Sequence, residues 1–84
     1  MKYRTLGKTG VRVSVLGFGA MRLPHRGRES EVDEPATAEM LRWAVDQGVN
    51  YVDTAYVYHA GHGEGVVGRA LSGGYREKVH LATK

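Results

Sequence analysis

Apolar and polar positions along the chain change period several times, and each change predicts an element. Tyr3 to Val15 alternate loosely around Gly7-Lys8-Thr9-Gly10, which predicts a short β-hairpin over residues 3–13, a lid or plug rather than a core strand. Val13 to Met21 is an apolar run interrupted by Gly17 and Gly19, and suits a first main strand buried on both faces. Pro24 to Asp33 is polar and charged, and reads as a loop. Asp33 can then cap a helix, Pro35 fits its first turn, and Met40, Leu41, Ala44 and Val45 recur at the spacing of one buried face. Trp43 falls toward another side, and Gly48 ends the helix. Val49 to Ala55 predicts a second strand. Glu64 to Leu71 predicts a second helix burying Val66, Val67, Ala70 and Leu71 and stopping at Ser72-Gly73-Gly74. After the polar link Tyr75 to Lys78, Val79 to Lys84 predicts a third strand, with His80 packed or hydrogen-bonded inside it.

The order is therefore a hairpin followed by β-α-β-α-β over residues 13–84, an α/β class with a parallel sheet, right-handed crossovers and helices outside it. A doubly wound open sheet and the start of an eight-stranded α/β barrel both place active residues at carboxyl strand ends. Those ends carry Gly19-Ala20-Met21, Asp53-Thr54-Ala55 and Thr83-Lys84. Three successive strands would deliver site residues to one rim, as a barrel does naturally. Gly17-Phe18-Gly19 is not a dinucleotide fingerprint, because position 22 is arginine and a charged, proline-containing loop follows instead of a helix.

Composition narrows the picture further. The 84 residues are 42% hydrophobic and 25% charged, in the range of a folded globular chain, but few for a large core. The net charge of +3 is mild, and Arg22, His25, Arg26 and Arg28 are answered at once by Glu29, Glu31, Asp33 and Glu34. A solvated loop is expected there rather than a nucleic-acid face. Absence of cysteine removes disulfides, thiolate nucleophiles and cysteine-bound metals from this segment. With no apolar run of membrane-spanning length and a polar start, a cytoplasmic enzyme-like chain without a membrane partner is expected.

The chemistry gathers in Asn50 to His59, NYVDTAYVYH, where Asp53 ends an apolar strand and Tyr58 follows in a glycine-containing loop. Tyrosine, with an unperturbed pKa of about 10, needs help to act as an acid. A lysine ammonium beside the phenol favours phenolate, and a carboxylate keeps that ammonium charged and in place. Asp53, Tyr58 and Lys84 supply these roles, the first and last from neighbouring strand ends ~4.8 Å apart. Such a donor suits carbonyl reduction, in which oxygen gains negative charge as hydride reaches carbon. Singly, each residue also has an ordinary structural reading as a turn cap, a rim aromatic or a surface lysine. His59, His62 and Glu64 lack the rigid frame of a metal site, and no metal is expected.

Over nearly its whole length the chain resembles the amino-terminal part of an aldo-keto reductase. The resemblance rests on YRTLGKTGVRVSVLGFGAMRLP, GVNYVDTAYVYH, EGVVGRAL and REKVHLATK. It implies an (α/β)8 barrel with an amino-terminal hairpin across its bottom, and reduction of aldehydes or ketones with NADPH or NADH. It also implies catalytic roles for Asp53, Tyr58 and Lys84, with Tyr58 as proton donor, and cofactor contacts at Gly19, Ala20, Met21, Arg22 and Asp53. Met21-Arg22-Leu23-Pro24 and Tyr58-His59-Ala60-Gly61 are most similar to a bacterial branch in which some members carry a carboxyl-terminal ferredoxin-like domain. An iron–sulfur cluster would belong only to that domain.

A barrel of this kind needs ~250 residues. The expectation is thus a truncated barrel domain holding three of eight strands, without the histidine that the family places on the next strand, and inactive by itself. At the terminus, the carboxylate of Lys84 is expected to compete with Asp53 for the ammonium. The competing expectation is a non-catalytic α/β module that binds a partner or self-associates through uncovered sheet edges. A further one is a fold-level likeness only, as in barrel proteins that serve as channel subunits.

Overall fold

The structure is a computed structural model that describes residues 1–25, 27 and 31–84. Arg26, Arg28 and Glu29 of the mixed-charge stretch lie outside the described residues. Strands β1 (Tyr3–Thr5) and β2 (Arg12–Ser14) form an antiparallel hairpin. Strands β3 (Phe18–Gly19), β4 (Tyr51–Asp53) and β5 (His80–Ala82) form a parallel sheet in that order. Helices α1 (Glu34–Asp46) and α2 (Gly63–Ala70) occupy the two crossovers and pack on each other.

The sheet and both helices bury one core. Val52 of β4 shares that core with Leu41 and Val45 of α1, Val66, Val67, Ala70 and Leu71 around α2, and Ala20, Leu23 and Val79 from the flanking segments. Asp33 caps α1 by accepting the Ala36 N–H at 3.1 Å, and Pro35 stands in the first turn, where a missing N–H costs nothing. The buried stripe of α1 is Thr37, Leu41, Ala44 and Val45. Met40, expected on that stripe, is 40% exposed. Thr37 takes its place because its hydroxyl donates to the Asp33 carbonyl at 2.9 Å, which removes the cost of burying it. Trp43 is exposed. Gly48 stops the helix at φ 106°, and a Cβ there would lie 2.9 Å from both the Met1 side chain and the Tyr3 hydroxyl oxygen.

The first main strand is shorter than the apolar run suggests. Val13 and Ser14 belong to the hairpin, whose second strand therefore runs one residue past the expected limit, and Val15 and Leu16 are 60% and 63% exposed. Their backbone is committed elsewhere. The Val15 N–H donates to the Lys2 carbonyl at 2.9 Å, and the Ser14 hydroxyl donates to the Leu16 carbonyl at 2.6 Å. Only from Phe18 is the chain free to pair with Val52. Expected strands 49–55 and 79–84 contract to β4 and β5, although single ladder bonds continue beyond both. His80 lies in β5 with its side chain exposed instead of packed, since Val79 takes the inward position and alternation turns the next residue out.

The hairpin is fastened to the amino end of β4. The Ser14 N–H donates to Asn50 Oδ1 at 2.6 Å, Asn50 Nδ2 donates to the Arg12 carbonyl at 3.1 Å, and the Tyr3 hydroxyl donates to the Gly48 carbonyl at 2.8 Å. Asn50, just before β4, and Asp53, its last residue, are three residues apart, about 10 Å in extended chain. The opposite end is left to the carboxyl-terminal rim.

Candidate active site

The rim follows from register. Asp53 pairs with Ala82, and residues paired across a sheet point to the same face, as do residues two apart on one strand. Lys84 thus shares a face with Asp53. The ladder runs on past β5, with the Tyr56 N–H donating to the Lys84 carbonyl at 2.8 Å. Lys84 Nζ donates to Asp53 Oδ2 at 2.9 Å and to Oδ1 at 3.2 Å, with side-chain exposures of 60% and 39%. A pair this wet contributes little to folding. Its value lies in where it puts the ammonium.

Tyr58 reaches the same point from the following turn. The segment expected as an open loop is a tight 3₁₀ turn, Tyr58–Gly61, in which His59 and Ala60 both take left-handed backbone angles, φ 54° and 56°. The turn doubles back so closely that a Cβ at Gly63 would lie 3.0 Å from both the Tyr58 Cβ and its carbonyl oxygen. Glycine there lets α2 start directly against the tyrosine. As a result the Lys84 ammonium stands 5.1 Å from the Tyr58 ring centroid, within cation–π range. Tyr58 first and Asp53 second raise the Lys84 pKa above its ordinary value of 10.5, against a smaller opposing effect of desolvation. The Thr83 hydroxyl, next to Lys84, donates to the carboxylate of Glu64 in the first turn of α2 and ties the segment after β5 to that helix.

The first strand contributes a different surface. Gly19 is in register with Asp53, and a Cβ built on it would meet nothing within 4 Å. Gly17, by contrast, has the Tyr51 ring 3.4 Å from such a Cβ. Open space at the rim beside a carboxylate fits a flat external group. Met21, 49% exposed, and exposed Arg22 follow β3 in the chain. Ala20 is fully buried, its N–H donating to the Asp53 carbonyl at 2.8 Å, so it supports the rim from beneath.

His59 was not legible as a site residue. It is 2% exposed, and its Nε2 lies 3.2 Å from both the Leu23 nitrogen and the Ala20 carbonyl oxygen. Nothing in the spacing of its neighbours signals an inward histidine, because Gly61 and Gly63 announce a turn without saying which side chain it swallows. Since His59 turns inward and Glu64 is taken by Thr83, the two do not converge with His62. Among the described residues no three histidine, cysteine, aspartate or glutamate side chains group as a metal site. No described helix is long and apolar enough to cross a membrane.

Comparison with known proteins bears on the family of the chain. The model of the aldo/keto reductase family matches residues 15–84. Aldo-keto reductase YhdN of Bacillus subtilis (strain 168) is 36% identical over 85 residues, an overlap of 100% of this chain and 25% of the relative. The holo form of aldo-keto reductase AKR11C1 from Bacillus halodurans superposes with a TM-score of 0.82 at 38% identity, over 99% of this chain and 25% of that one. An aldo-keto reductase from Klebsiella pneumoniae, solved in complex with NADPH, gives a TM-score of 0.72 at 27% identity, over 99% and 28%. The chain spans about a quarter of the length of these relatives. With the family model matched across β3 to β5 and the solved structures superposing on nearly every residue, the chain belongs to the aldo/keto reductase family.

Proposed function

We propose that these residues form the opening portion of an eight-stranded α/β barrel that reduces aldehydes or ketones to alcohols with NADPH or NADH. The observation that carries the reading is the Lys84 ammonium, held by Asp53 at 2.9 Å and set 5.1 Å from the Tyr58 ring. Tyr58 is the proton donor: its hydroxyl proton passes to the carbonyl oxygen of the substrate while hydride arrives at the carbonyl carbon, giving the alcohol and leaving a phenolate. Lys84 stabilises that negative charge, and Asp53 keeps the ammonium charged and aimed. When bound, the nicotinamide supplies the hydride. Gly19, Met21, Arg22 and Asp53 would hold it, Gly19 by leaving its side open and Arg22 by offering a cation, with Ala20 buried below them. The NADPH in the Klebsiella pneumoniae relative supports the cofactor class.

The test is oxidation of NADPH in the presence of 4-nitrobenzaldehyde by the complete protein that contains these residues, with the 84-residue chain beside it. Turnover by the complete protein and none by the short chain is the expected pair of results. A folded complete protein that oxidises no NADPH with any aldehyde or ketone would refute the proposal. A second reading has its own support: among the described residues β3 and β5 each have one neighbour only in the sheet, and Val15, Leu16 and Trp43 are at least 60% exposed. Those surfaces favour self-association of the 84-residue chain. Sedimentation velocity decides this, because a compact monomer at high concentration would contradict it.

A further inference from the structure

We propose that His59 is a positioning residue for Tyr58, a neutral imidazole whose Nε2 accepts the Leu23 N–H and thereby locks the left-handed turn that carries the phenol. The identification of Tyr58 as proton donor is taken from the preceding proposal; the geometry of the lock is independent of it.

Two successive residues other than glycine in left-handed geometry persist only where their surroundings over-determine them. Here the side chain of the first strained residue does so. Sunk to 2% exposure, it spans from the turn to the segment after β3 and ends 3.2 Å from Leu23 nitrogen. A backbone N–H has a fixed direction, unlike a hydroxyl, and this one meets Nε2 as a donor. Accepting that bond requires a bare Nε2 and a proton on Nδ1, a buried atom with no partner among the described residues. The alternative tautomer would satisfy the Ala20 carbonyl, also at 3.2 Å, but would set one N–H against another at Leu23. The same bond joins the two halves of the site. Leu23 follows Met21 and Arg22, and Tyr58 immediately precedes His59, so the imidazole fixes the rim of β3 and the phenol relative to each other.

The test combines NMR on the 84-residue chain with kinetics on the complete protein. Long-range ¹H–¹⁵N spectra should show His59 with an unprotonated Nε2 and a protonated Nδ1, and a through-bond coupling should link Nε2 to the Leu23 amide nitrogen. His59→Leu, which keeps bulk without an acceptor, should lose the nuclear Overhauser contact between the Tyr58 ring and the Lys84 side chain. His59→Gln, which returns an acceptor at similar reach, should restore it. In the complete protein, His59→Leu should lower kcat on the order of 10²-fold, the scale of a misplaced catalytic group, with KM for the carbonyl compound nearly unchanged. His59→Gln should recover most of that loss. A protonated Nε2 in the wild-type chain, or a folded His59→Leu chain that retains the Tyr58–Lys84 contact, would overturn the inference even if the leucine variant failed to give active enzyme. Absence of any carbonyl reduction by the complete protein would instead count against the proposed function, while the spectra still decide the role of His59.

Discussion

Replacing Asn50 by alanine isolates the link between the hairpin and the sheet. The substitution removes the acceptor of the Ser14 N–H, 2.6 Å away, and the donor to the Arg12 carbonyl, 3.1 Å away. The two losses are unequal. Ser14 is 5% exposed, so its N–H is left without water and costs roughly 1–3 kcal/mol, whereas Arg12 is exposed and its carbonyl can be hydrated for little. The bond from the Asn50 N–H to the Ser14 hydroxyl oxygen, and that from the Tyr3 hydroxyl to Gly48, both survive, so the hairpin loosens without dissociating. At about 1.4 kcal/mol per factor of ten, amide hydrogens of β1 and β2 should exchange about 5- to 150-fold faster. Asn50→Asp keeps the acceptor and should recover most of this protection. Hydrogen exchange read by NMR gives each amide separately, with those of β4 and α2 as internal controls. Unchanged exchange in the hairpin of Asn50→Ala, or equal acceleration in hairpin and core, would refute the claim that Asn50 is the fastening point.

Other outcomes follow from the same geometry. Leu41 is fully buried at the centre of the α1 stripe, and Leu41→Ala should cost about 2–5 kcal/mol in urea unfolding, which is enough to leave so small a core largely unfolded. Gly19→Ala should leave the melting temperature nearly unchanged, because its Cβ would meet no protein atom, while weakening NADPH binding by the complete protein; unaltered affinity in fluorescence titration would remove Gly19 from the cofactor surface. The raised pKa of Lys84 fixes the sign of a pH effect: its stabilisation is fully present below the ordinary value of 10.5 and is lost as pH rises through the folded value. The difference in urea midpoint between wild type and Lys84→Met should therefore be constant through neutral pH and vanish in strong alkali. It should also shrink in 1 M salt, as expected of an exposed pair.

Most of the architecture could be read from the chain because each element carried its own punctuation. Asp33 and Pro35 at one end of α1 and Gly48 at the other mark a helix by local chemistry alone, and the spacing of Val66, Val67, Ala70 and Leu71 does the same for α2. Asp53 and Lys84 were legible as partners since a carboxylate and an ammonium at the ends of adjacent parallel strands have few other places to go. What escaped was decided by hydrogen bonds and turns that the apolar pattern does not register. Val15 and Leu16 look like strand residues, and the bond of the Val15 N–H to the Lys2 carbonyl, together with those of Ser14 to Leu16 and to Asn50, 36 positions away, explains why they are not. Thr37 in place of Met40 depends on a hydroxyl finding a carbonyl four residues earlier, which periodicity of apolar residues cannot register. His59 was hidden most completely, for its burial depends on a left-handed turn whose second residue, Ala60, is not one that usually adopts such geometry.

The central claim is that Asp53, Lys84 and Tyr58 act on the substrate carbonyl as one unit. A double-mutant cycle on the complete protein measures this directly, with kcat/KM for NADPH-dependent aldehyde reduction determined for Tyr58→Phe, Lys84→Met and the pair. Members of a unit are grossly non-additive. Each single substitution should lower kcat/KM about 10²- to 10⁴-fold, the scale of a lost general acid, and the double variant should be scarcely worse than the poorer single one. Losses that multiply, or a Tyr58→Phe enzyme that keeps wild-type turnover, would contradict the account.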